Sequence, residues 1–139
     1  MAESSAIRKE ILFDGFSDEE ILRLPPEQIE ALVLNGEPLV FRIGTATILG
    51  EFRRNGNRLV VELAQIEGGG EGILTSLGSL VQRYARLQNI ENVEWIVHAV
   101  SCAKPNLKLR RVLDRRGFVV RDLPGIGETY HLVDSSVAQ

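Results

Sequence analysis

The chain reads as a single α+β domain: one mixed β-sheet with helices on both faces. Three observations predict this. Apolar residues recur at helical spacing over residues 17–35 and again over 73–87. Between those stretches lie three runs with strand alternation, joined by short turns. After residue 87 the order becomes strand, helix and a two-stranded finish.

Residues 1–16 form an arm in which Ile11, Leu12, Phe13 and Phe16 are compatible with a short strand. Ser17 caps the next segment, because Ser followed three places later by Glu20 is a capping-box pattern. Asp18, Glu19 and Glu20 put negative charge on the first turn, where the helix dipole favours it. Pro25-Pro26 closes that helix and opens another, since proline is tolerated at the first helical position. The second helix runs from Glu27 to about Leu34, and Asn35-Gly36 stops it.

The period then shortens to two. Leu39–Ile43, Thr47–Arg53 and Arg58–Ile66 read as strands in meander order, hence antiparallel. Asn55-Gly56 is the hairpin turn between the last two, because both residues accept positive φ. Glu67-Gly68-Gly69-Gly70-Glu71-Gly72 follows, and an amphipathic helix runs from Ile73 to Leu87. Val93–Val100 is a mostly apolar strand, expected to be buried on both faces. Asn106–Arg116 is a helix stopped by Gly117, Phe118–Arg121 a strand, and Thr129–Val133 the last strand. Residues 17–133 make up the domain and residues 134–139 a short polar tail.

With 139 residues, 44% of them hydrophobic and 25% charged, the composition is that of an ordinary globular protein. A net charge of −3 offers no broad basic field, which argues against nucleic-acid binding. Cys102 is the only cysteine, so no intrachain disulfide can form. No apolar run is long enough to span a bilayer, and Met1–Ser5 begin no signal pattern. The chain reads as cytoplasmic, with no membrane partner. His98, His131 and Cys102 lack metal-ligand spacing, so no metal is expected.

Two stretches carry a resemblance. One is the glycine-rich turn after the third meander strand. The other is Asn106, a helix, and Gly117-Phe118 at a fixed offset. Together with the element order they make residues 38–133 similar to the GNAT superfamily, the Gcn5-related N-acetyltransferases. Residues 17–35 stand where that family has its two early helices. The resemblance implies a GNAT-like fold that binds acetyl-CoA or another acyl-CoA and passes the acyl group to an amine, on a small molecule or a protein. It places cofactor contacts at Gly68, Gly69, Gly70, Gly72, Ile73 and Asn106. Backbone N–H groups and the dipole at the start of the Ile73 helix would receive pyrophosphate. The third meander strand and the Val93–Val100 strand would part to admit the pantetheine arm.

The chain departs from the family pattern at three positions. Glu67 stands where Gln or Arg is usual, and Glu71 lies between the two glycines of the motif. At an effective dielectric of 20, like charges ~4 Å apart repel by up to about 4 kcal/mol before screening by salt. Leu113 stands seven places after Asn106, where the family usually has a Tyr that protonates the leaving thiolate. Loss of a positioned general acid costs on the order of 10²–10⁴ in rate.

The remaining candidates each carry two readings. Glu62 is a general base by resemblance, but a solvated outward residue by alternation, with Val61 and Leu63 inward. His98 is a base or a core histidine satisfied by a neighbour. Cys102 has no His/Asp partner in view and reads as a small thiol. Arg110, Arg111, Arg115 and Arg116 suit cofactor phosphates, an acidic partner or a solvated helix face. Two functions therefore stay open. One is an acyl-CoA-dependent N-acyltransferase using Glu62 or His98. The other is a non-catalytic protein-binding module on the same scaffold, of the regulator or toxin-immunity type. A homodimer through the sheet edge or C-terminal hairpin is compatible with either.

Overall fold

The computed structural model describes residues 10–13, 15–68, 72–100 and 107–135. Gly69, Gly70, Glu71, Cys102 and Asn106 lie outside the described residues. The described strands are β1 (Ile11–Phe13), β2 (Phe16–Ser17), β3 (Leu39–Ile43), β4 (Ala46–Asn55), β5 (Arg58–Glu67), β6 (Asn92–Val97), β7 (Val119–Leu123) and β8 (Gly127–Asp134). The described helices are α1 (Asp18–Arg23), α2 (Pro26–Leu32), α3 (Ile73–Leu87) and α4 (Leu107–Arg115).

Each boundary has a local cause. Ser17 Oγ accepts from the N–H of Glu20 at 3.2 Å, and Glu20 Oε1 accepts from the N–H of Ser17 at 2.9 Å, completing the capping box. Pro26 occupies the first position of α2, which ends two residues earlier than expected, at Leu32. The hairpin turn is displaced by one residue. Asn55 pairs with Arg58, so Gly56-Asn57 is the loop. Gly56 has φ +60°, and Asn57 keeps an ordinary negative φ, as in a type II′ turn with glycine first.

α4 ends in a Schellman motif. Phe118 N–H donates to the Leu113 carbonyl at 3.0 Å and Gly117 N–H to that of Asp114 at 3.2 Å. Gly117 takes φ +91°, which a Cβ would disfavour. Leu113 and Phe118 are both buried, supplying the apolar contact that accompanies this motif.

The sheet order is β2-β1-β3-β4-β5-β6-β8-β7. All pairings are antiparallel except β5 with β6. This is the mixed sheet expected, with β3–β5 as the meander. The crossovers β5–α3–β6 and β6–α4–β7 travel in the same direction across the sheet. Right-handed connections of that kind put both helices on one face. α1 and α2 join that side, since Ile21, Ile29 and Val33 share an apolar cavity with Phe52, Leu59 and Tyr84. Among the described residues the helical layer thus lies on one face rather than on both. The core fills it: Phe13, Phe41 and Phe52 pack ring to ring, 4.9–6.0 Å between centroids. β6 is shorter than its apolar run suggested, and its Glu94 turns away from the helices while Val93 and Trp95 face them.

Candidate functional site

β5 contains an irregularity that shapes the site. Leu49 pairs with Gln65 but Gly50 pairs with Leu63, leaving Ala64 without a counterpart on β4. This is a β-bulge, which bends a strand and sharpens its twist. Gly50 makes it possible. A Cβ there would lie 2.9 Å from the Glu62 carbonyl oxygen and 3.1 Å from Leu63 Cδ2.

The parallel pairing of β5 and β6 stops at the same level. Its last register pair is Leu63 with Val97, followed by the His98 N–H donating to the Leu63 carbonyl at 2.9 Å. β5 continues to Glu67 alongside β4 alone. Beyond β6, Arg110 of α4 takes the next carbonyls, with Nε 2.7 Å from Ala99 O and Nη2 2.9 Å from Val100 O. The backbone after β6 is thereby committed to α4 and not to β5. One arginine of the basic patch is thus an internal brace.

Glu62 and His98 meet where the strands part. Alternation puts both on the sheet face opposite the helices, and His98 Nε2 lies 2.7 Å from Glu62 Oε2. The other carboxylate oxygen, Oε1, accepts from Arg53 Nη1 at 3.1 Å, and that guanidinium also reaches Glu51 Oε1 at 3.3 Å. The Glu62 side chain is 17% exposed and that of His98 32%. Glu62 is therefore neither solvated nor isolated. Burial pushes its carboxyl pKa up, but hydrogen bonds from His98 and Arg53, with their charges, outweigh this and hold it below the ordinary value. With Glu62 ionised, Nε2 is the nitrogen that donates, which leaves Nδ1 as the basic one.

A second group of the same kind lies on this face. His131 Nε2 is 2.8 Å from Glu94 Oε2, and Glu94 Oε1 is 3.5 Å from Arg58 Nη1. His131 is opposite Ile96, which is opposite Glu62. Sequence reasoning missed Arg53, Arg58 and Glu94. Their alternation with inward residues on β4, β5 and β6 was the available signal.

On the helical side, α3 starts at Ile73 after Gly72, which has φ +94°, and no side chain caps it. The first N–H groups of such a helix lack intrahelical partners. Beside them Gly72, Thr75, Val112, Arg115 and Arg116 line a cavity of about 280 Å³. Arg116 Nη2 donates to Thr75 Oγ1 at 2.6 Å. Two guanidinium groups thus stand beside the start of α3. Glu67 itself is exposed and accepts from the Gln65 side chain. Gly68 has φ +75°, and a Cβ there would lie 3.2 Å from the Thr45 carbonyl oxygen. Leu113 is 0% exposed, so the position expected to hold a phenol belongs to the core. Among the described residues no group of three or more potential metal ligands is present, and no helix is long and apolar enough to cross a membrane.

The element order and the parting of β5 from β6 fit the GNAT-like fold that the resemblance implies. No family model and no curated protein matches the chain. Among solved structures it is similar to the PaiA N-acetyltransferase of Thermoplasma acidophilum in complex with coenzyme A. The identity there is 14% and the TM-score 0.45, over 90% of this chain and 98% of that one. It is also similar to Ard1 of Thermoplasma volcanium, at 15% identity and a TM-score of 0.39, over 89% of this chain and 95% of that one. Likenesses of this size bear on no individual residue.

Proposed function

We propose that the chain is a divergent acyl-CoA-dependent N-acyltransferase in which His98, oriented by Glu62, handles the proton of the acceptor amine. The observation that carries this is the 2.7 Å contact between His98 and Glu62 at the level where β5 and β6 part.

The residues present fit such a cofactor. The β5 segment from Ala64 to Glu67 has no β6 partner and offers an extended edge. The uncapped start of α3, with Arg115 and Arg116 beside it, suits an anion. When bound, an acyl-CoA supplies a thioester carbonyl and a thiol leaving group.

The protein's own task is then proton management. A carboxyl held below its ordinary range is a weak base, so Glu62 is the orienting group and His98 the acceptor. Arg53 fixes Glu62, Glu62 fixes the ring, and Nδ1 takes the proton as the amine nitrogen bonds to carbon. The imidazolium is stabilised by the carboxylate beside it. The same Nδ1 proton is available to the leaving group, a role the buried Leu113 cannot fill. One imidazole thereby covers both halves of the transfer.

The second reading, a non-catalytic protein-binding module, draws on Leu113 and on exposed Glu67 beside the glycine turn. A thermal-shift titration separates the two. A ligand at ~100 times its Kd stabilises the native state by about 2.7 kcal/mol, several degrees for a domain of this size. Acetyl-CoA should raise Tm in the wild type, and His98→Gln should keep that shift while losing most acyl transfer to an amine. No shift at millimolar acetyl-CoA rules out the enzyme.

A further inference from the structure

The helical face holds a second concavity, on the opposite side of the sheet from Glu62 and His98. It has a volume of about 200 Å³ and lies between α3, the end of α4, and β6 and β8. Trp95 and Phe118 bring aromatic rings to it, Val81 and Leu132 aliphatic surface, and Arg116 and Gln82 polar groups. Trp95 sits on β6 between Glu94 and Ile96, so it points away from the face that carries the Glu62–His98 pair.

Gly78 gives this cavity its meaning. It lies in the interior of α3 and lines the space. Glycine there costs roughly 1 kcal/mol of helix stability relative to alanine. Two structural reasons for a helix glycine are absent: its φ is not in the left-handed region, and a Cβ would meet nothing within 4 Å. What the missing side chain preserves is the open volume itself. Cavities of about 150 Å³ can take up benzene, so one ring fits with room for a small substituent. Arg116 supplies the charge such a substituent would need. Its planar fork suits a carboxylate, and its Nη2 donates to Thr75 Oγ1 in the adjoining cavity at the start of α3.

We propose that this cavity is a binding site for a small aromatic carboxylate, on the other side of the sheet from the Glu62–His98 pair and sharing Arg116 with the anion site at the start of α3. Trp95 is the only tryptophan in the chain, so its fluorescence reports occupancy directly. Titration of the full chain with benzoate should give a saturable change in that emission. Gly78→Leu, a good helix former that fills the space, should raise Tm and weaken benzoate by more than about tenfold. Arg116→Met should weaken benzoate but leave the binding of neutral benzyl alcohol unchanged. The proposal fails if millimolar benzoate leaves the emission unsaturated, or if Gly78→Leu binds as the wild type does. It also fails if benzylamine binds more tightly than benzoate, because Asp134, another lining residue, would then set the charge preference.

Discussion

The carboxyl of Glu62 is pulled in two directions. Burial favours its neutral form, while His98 and Arg53 favour the charged form and prevail. A folded-state value below the unfolded one means that unfolding takes up protons at acid pH. This contribution to stability is present above the ordinary carboxyl value of 4.5 and is lost as pH falls through the depressed folded value. Denaturant titrations of wild type and Glu62→Gln should therefore show a gap near neutrality that closes in acid. A gap independent of pH would mean that the carboxylate is not the stabilising form. The sequence made Glu62 and His98 visible only as separate candidates. They stand on different strands, and only the parallel register of β5 with β6, built across α3, brings them together. Alternation put Glu62 on the correct face but made it look solvated, because the partners that cover it lie on β4 and just past the end of β6.

At the level of the element, α4 shows what Leu113 does at the position where the resemblance implies a phenol. Leu113 is the third residue from the helix end, and its carbonyl and side chain both serve the Schellman closure with Phe118. An apolar residue there contributes to the core even though it brings no proton. Leu113→Ala should cost about 2–5 kcal/mol by urea denaturation, in the range of buried leucines. A cost below about 1 kcal/mol would show that the helix end carries no packed core. Elements of this kind were legible from one stretch of chain: the capping box at Ser17, the period of α3, and the Gly117 stop all depend on near neighbours. The hairpin loop was offset by one residue because Asn55-Gly56 and Gly56-Asn57 are both good turn pairs, and strand register decides between them.

For the whole molecule, sheet order sets how firmly each part is held. β5 and β6 are interior strands, and eight of the ten residues from Leu59 to Leu63 and from Val93 to Val97 are buried. β7 is an edge strand whose first four residues are exposed. Hydrogen exchange should accordingly be slowest across Leu59–Leu63 and Val93–Val97 and fastest in Val119–Leu123. Equal protection in β7 would indicate that another chain covers its edge in solution. The α+β class could be read from period changes, since each segment declares its own spacing. The one-sided helical layer could not, because it follows from the direction in which two crossovers traverse the sheet.

Ala64 has a further consequence, for how this chain can vary. It is one surplus residue in a strand whose side chains alternate with period two. Its removal would leave Leu63 opposite Gly50 and Gln65 opposite Leu49 with nothing between them, so Gln65 and Glu67 would stay outward and Ile66 inward while the strand lost its bend. Descendants of this sequence can therefore shed that one residue and keep every face of β5, losing only the curvature beside His98.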